Sequence, residues 1–93
     1  MNLFKSVDEK LAEIGFVKLE DSDSYVHYER YVADYKYTHC LDILHKYNNQ
    51  HIVQSYCKGL FDEKKIGNTS VGLTYYEMNL ITKKMRQKGW KSK

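Results

Sequence analysis

The sequence predicts an α+β domain of two layers, α-β-β-β-β-α, in which a four-stranded antiparallel meander carries both helices on one face. Three observations lead there. Apolar residues recur every three or four positions near the two ends of the chain, and every second position between them. Both helical segments close on a glycine followed by an aromatic residue, Gly15-Phe16 and Gly89-Trp90. Trial hairpin pairings across the middle gather the apolar side chains on one face.

The first helix rests on Leu3, Phe4, Val7, Leu11 and Ile14, which form one stripe, while Lys5, Asp8, Glu9 and Glu13 fall outside it. Asn2 or Ser6 caps its start; with Ser6, Glu9 completes a capping box. The last helix has the clearer start, since Thr74-Tyr75-Tyr76-Glu77 is itself a capping box. Its apolar arc is Tyr76, Leu80, Ile81 and Met85, with Lys84 inside the arc and expected to snorkel outward.

Strands are expected at about 16–20, 25–32, 35–47 and 51–57. The links are Asp21-Ser22-Asp23-Ser24 and the two-residue turns Ala33-Asp34 and Asn48-Asn49. Pairing 20 with 25, 32 with 35 and 47 with 50 puts Val17, Leu19, Val26, Tyr28, Val32, Tyr35, Tyr37, Leu41, Ile43, Ile52 and Tyr56 on the core face. The other face, left to water, collects Lys18, Tyr25, His27, Glu29, Tyr31, Lys36, Thr38, Cys40, Asp42, Leu44, Lys46, His51, Val53, Ser55 and Cys57. The stretch 58–72 reads as a long crossover to the last helix, of a length that also marks functional segments.

At 93 residues the chain is expected to form a single domain, residues 1–93. It has nine tyrosines, no proline and 14% aromatic residues, a composition that argues against intrinsic disorder. No apolar run reaches the roughly 18 residues of a membrane span, and the opening MNLFKSVDEK lacks a signal-peptide core, so a cytoplasmic protein is expected.

Charge is segregated. Residues 1–34 hold eight acids and four bases, residues 35–82 four acids and five bases, and residues 83–93 six bases and no acid. The terminal cations Lys83, Lys84, Arg86, Lys88 and Lys91, with Trp90 for stacking, are the candidate nucleic-acid contacts. The other reading is a solvated helix end, whose cations complement the helix dipole. The element order resembles the α-β-β-β-α double-stranded RNA-binding domains. Those place a Lys-Lys motif at the start of the second helix; here the lysines come at its end.

No catalytic residue, cofactor or metal is expected. Cys-x-x-Cys, a helical His-x-x-x-His, a nucleophile elbow, a P-loop and a dinucleotide fingerprint are all missing from the sequence. In the assumed register Cys40 faces Cys57 with His27 alongside, a triad without a fourth ligand, and the cysteines are read as reduced thiols. A flat sheet face is expected to leave His27, Asp42 and Glu29 solvated and therefore unsuited to acid–base chemistry. What remains is binding. Tyr25, His27, Tyr31, Lys36, Asp42 and Leu44 on the open face are the candidate contacts for a protein partner or a second copy.

The segments LFKSVDEKLAEIGF, YERY, LDILHKYNNQHIVQSY and VGLTYYEMNLITKKMRQKGW resemble small uncharacterised prophage and mobile-element proteins of low-GC Gram-positive bacteria. The resemblance implies an accessory protein that acts by binding and brings no known activity with it.

Overall fold

A computed structural model describes residues 5–58 and 69–90. The element order is α1 (Val7–Glu13), β1 (Val17–Asp21), β2 (Tyr25–Val32), β3 (Tyr37–His45), β4 (His51–Lys58), β5 (Thr69–Ser70) and α2 (Tyr75–Gln87). The sheet is antiparallel in the order β1-β2-β3-β4-β5, so the predicted meander stands and gains a short fifth strand at its edge. Leu3, Phe4 and residues 59–68 of the expected long crossover lie outside the described residues.

Both helices begin at capping boxes, and of the two starts the sequence left open for α1 the cap is Ser6. Ser6 accepts from the Glu9 amide while Glu9 reaches back to the Ser6 amide; Thr74 and Glu77 repeat the arrangement. Both helices also end alike. Gly15 and Gly89 take positive φ, and the following amides bond back to the last turn, Phe16 to Leu11 and Trp90 to Met85.

One face of the sheet is covered by both helices, and among the described residues no helix covers the other. Val7 and Leu11 of α1, Leu80 and Ile81 of α2, and Trp90 pack with Phe16, Val26, Tyr28, Leu41 and Ile43 in one core. The side chains beneath the helices define the inner face.

Three registers differ from expectation. The β2–β3 link spans four residues, Ala33 to Lys36, and pairs Val32 with Tyr37. Lys36 sits at φ 55 in this turn, so Tyr35 and Lys36 belong to the turn, and Lys36 leaves the proposed binding set. The change from the expected pairing is two residues, and parity survives. The β3–β4 hairpin is different. Lys46 pairs with Gln50 around Tyr47-Asn48-Asn49, with Asn49 at φ 62, the three-residue loop closed by a left-handed residue. That single extra residue reverses every side chain of β4. Ile52 and Tyr56 move to the outer face; Val53, Ser55 and Cys57 turn inward.

In β1 the pairing shifts between Lys18 and Glu20, a bulge at Leu19. Val17 and Leu19 consequently lie 60% and 57% exposed instead of in the core. Lys18 takes the inward position beside Tyr28 and bonds Asp8 at 2.8 Å. Tyr76 is exposed too and lies outside the core, contrary to its expected place in the apolar arc. Lys84 does not snorkel. It is only 6% exposed, with its ammonium on Asp8 and Asp21.

The inner face also holds a polar chain. Arg30 stacks over Phe16 at 4.2 Å, donates to the Ile14 carbonyl, pairs with Glu77 at 3.0 Å and donates to His39 Nδ1. Because arginine only donates, His39 Nδ1 accepts, and its Nε2–H donates to Ser55 Oγ at 2.6 Å.

Candidate functional site: the open sheet face

Strand alternation brings Tyr25, His27, Glu29 and Tyr31 of β2 to the outer face. Across the ladder stand Leu44 opposite Tyr25, Asp42 opposite His27, Cys40 opposite Glu29 and Thr38 opposite Tyr31. The corrected β4 register adds Ile52 beside Leu44, Gln54 beside Asp42 and Tyr56 beside Cys40. Among the described residues no helix lies over this face.

Asp42 is its centre. The carboxylate accepts from Tyr25 Oη at 2.7 Å, from Tyr56 Oη at 2.7 Å and from His27 Nδ1. The ring of donors leaves Asp42 only 6% exposed, contrary to the expectation of a solvated carboxylate. Such burial is tolerable because three donors satisfy the charge. Burial works against ionisation, but the hydrogen bonds from Tyr56, His27 and Tyr25 outweigh it and hold the carboxyl below its ordinary range. In return, burial and then the Asp42 charge push both tyrosine hydroxyls upward.

His27 spans two carboxylates. Its Nε2 lies 2.7 Å from Glu29 Oε2 while Nδ1 serves Asp42. Both ring nitrogens therefore donate, which makes the ring an imidazolium. Burial opposes that charge; the bonds to Glu29 and then Asp42 overcome it and raise its pKa. Glu29 is held low by His27 first and by Lys58, 3.0 Å away, second. Cys40 is 1% exposed, and burial pushes its thiol up.

Of the expected contacts, the structure brings Tyr25, His27, Asp42 and Leu44 together, with Tyr31 64% exposed at the same face. Lys36 stays apart in its turn. Tyr56, Glu29 and Lys58 complete the cluster; Glu29 was expected on this face but not among the contacts, and Tyr56 and Lys58 were missed. Glu29 was legible from its two-residue spacing to His27, whereas Tyr56 depended on a hairpin register the turn sequence misassigned. Cys40 and Cys57 occupy opposite faces, because Cys57 pairs with the inward His39. No disulfide can join them, and the supposed Cys40–Cys57–His27 group does not exist. His27, Glu29 and Cys40 do place one nitrogen, one oxygen and one sulfur within 4.8 Å of each other.

The basic end of the chain has a different setting. Lys84 bonds Asp8 and Asp21, and Lys88 bonds Asp21. Trp90 is buried, stacks on His45 at 5.0 Å and donates to the Asp23 carbonyl. Lys83 and Arg86 are exposed on α2, and Lys91 lies outside the described residues. Among the described residues, no helix is long and apolar enough to cross a membrane. Comparison of the chain with family models, curated proteins and solved structures finds no match.

Proposed function

We propose that this domain is a cytoplasmic, non-enzymatic binding module that engages a protein surface, a partner or its own second copy, through the outer face of the sheet. The observation that carries the reading is a hydrogen-bonded polar centre within a face that no described helix covers. Asp42 pins Tyr25, Tyr56 and His27, so these side chains lose little freedom when a partner arrives. Around them lie the row Tyr25, Leu44 and Ile52 and the exposed Tyr31 and Val17, the aromatic and aliphatic groups that anchor interfaces. An accessory role for a prophage or mobile element fits a binding protein of this size and follows from the resemblance described above. The nucleic-acid alternative draws less support, because Lys84 and Lys88 already neutralise Asp8 and Asp21.

Sedimentation of the wild type and of Tyr31→Glu tests self-association: a concentration-dependent dimer should become a monomer in the variant. For a foreign partner, a protein captured by the wild type should be lost with Tyr31→Glu and kept with Lys83→Glu. Capture or dimerisation that Tyr31→Glu leaves untouched would sink the outer-face reading. Nucleic acid bound at low salt and released as salt rises would favour the alternative.

A further inference from the structure

The outer face also gathers a nitrogen, an oxygen and a sulfur donor, of which His27 is shared with the proposed partner contacts. His27 and Glu29 are two residues apart on one strand, and Cys40 stands directly across from Glu29. We propose that His27 Nε2, a Glu29 carboxylate oxygen and Cys40 Sγ bind a zinc-class divalent cation. Their ligand atoms already lie within 4.8 Å of one another. The site is independent of the partner reading, since a monomer without a partner would still bind the ion.

Donor chemistry selects the class of metal. Nitrogen, oxygen and thiolate sulfur together suit zinc, whereas calcium and magnesium take oxygen alone. Cys40 is buried within the face, and Glu29 and His27 are half-buried beside it. Three protein ligands leave a fourth position for water.

The surrounding residues supply the outer shell. A metal-bound histidine characteristically gives its remaining N–H to a carboxylate, which fixes the tautomer and the ring plane. Here Asp42 accepts from His27 Nδ1, leaving Nε2 toward Glu29. Asp42 is itself held at 2.7 Å by each of two tyrosine hydroxyls. This shell exists before any ion arrives.

Binding requires the ligands to move on the order of 1 Å, since donor pairs as far apart as 4.8 Å must close and the nearest pair must open. Zinc bonds of about 2.0–2.3 Å imply ligand separations of about 3.4–3.6 Å at a tetrahedral centre. Nε2 and Oε2 are now 2.7 Å apart, so the Glu29 carboxylate must rotate away by less than ~1 Å. The cation replaces the proton between them, and the Cys40 thiol releases its own proton to solvent as it becomes a ligand. Lys58, 3.0 Å from the same Glu29 oxygen, competes with the ion.

The test uses the full chain, stripped by chelator and kept reduced. Cobalt(II) should bind at one equivalent with a thiolate-to-cobalt charge-transfer absorption, and zinc should displace it. Cys40→Ser should abolish the absorption and weaken binding at least tenfold. Asp42→Asn should weaken it about 10–100-fold while the absorption remains. Lys58→Met should tighten it, and Cys57→Ser on the inner face should behave as wild type. No charge-transfer absorption in the wild type, its survival in Cys40→Ser, or its loss in Cys57→Ser overturns the site. If circular dichroism shows Cys40→Ser unfolded, Glu29→Gln carries the same test, and unchanged affinity there overturns the proposal.

Discussion

Lys84 of α2 and Asp8 of α1 meet at 3.2 Å although 76 positions separate them. The pair ties the last helix to the first over the sheet, and Tyr28 Oη joins it at 2.6 Å on the same carboxylate. Asp21 brings the end of β1 into the cluster through Lys84 at 3.0 Å and Lys18 at 3.2 Å.

Lys84→Ala should therefore destabilise the fold. Loss of one partner from a fully buried ion pair costs about 3–5 kcal/mol. Lys18 and Lys88 still serve the two aspartates here, so we expect about 2 kcal/mol, below that range. Urea denaturation measures it; a change within ~0.5 kcal/mol, the level of an ordinary surface substitution, would show that the cluster carries no stability.

The same cluster predicts acid sensitivity. For Asp8 and Asp21 burial works against the charge, yet hydrogen bonds from Lys18, Tyr28 and Lys84 to Asp8, and from Lys88, Lys84 and Lys18 to Asp21, prevail and hold both carboxyls below their ordinary values. The unfolded chain then binds protons more readily than the folded one. Stability from these groups is present above the unfolded carboxylate pKa of about 3.9 and is lost as pH falls through the lower folded values. Thermal melts below pH 4 should show a shallower loss in Asp21→Asn than in wild type, from a lower starting stability.

His39 predicts a second pH effect, set at higher pH. Burial first, and the Arg30 charge second, lower its pKa. The unfolded ring takes up a proton near pH 6.5 while the folded ring resists, so this contribution to stability falls as pH drops below about 6.5. Ser55→Ala removes the acceptor of the His39 Nε2–H and should cost about 1–3 kcal/mol in chemical denaturation. A neutral result would mean that water replaces the serine.

Backbone conformation gives three further variants at two positions. Gly15 has φ +97, and an added Cβ would meet Arg30 Cδ at 3.1 Å. Gly15→Ala should cost about 1–2 kcal/mol, the usual penalty of a left-handed alanine, with the aliphatic stem of Arg30 displaced. Asn49, at φ 62, closes the hairpin loop. Asn49→Gly should be neutral or stabilising, and Asn49→Val should lose about 1–2 kcal/mol in the same assay. Equal stabilities for these two would show that the loop does not rely on a left-handed residue.

Local chemistry alone determined where the last helix begins, where both helices end, the positions of the four long strands and the inward stripe of Val26, Tyr28, Leu41 and Ile43, while the start of the first helix stayed open between Asn2 and Ser6. Capping boxes, Gly-aromatic ends and two-residue alternation act over a few positions, so they can be read directly from the chain. The clustering of Tyr25, His27 and Asp42 was legible because the β2–β3 link exceeds its expected length by an even number of residues. Tertiary structure decided the rest. One extra residue in the Asn48-Asn49 hairpin moved Tyr56 onto Asp42 and Cys57 away from Cys40, and the Leu19 bulge turned Lys18 inward. Lys84 is buried for the same reason that Val17 is exposed: the inward positions of β1 belong to an ion-pair cluster assembled from both helices. Such choices depend on loop conformation and on charges far apart in the sequence, and they become definite only when the layers close.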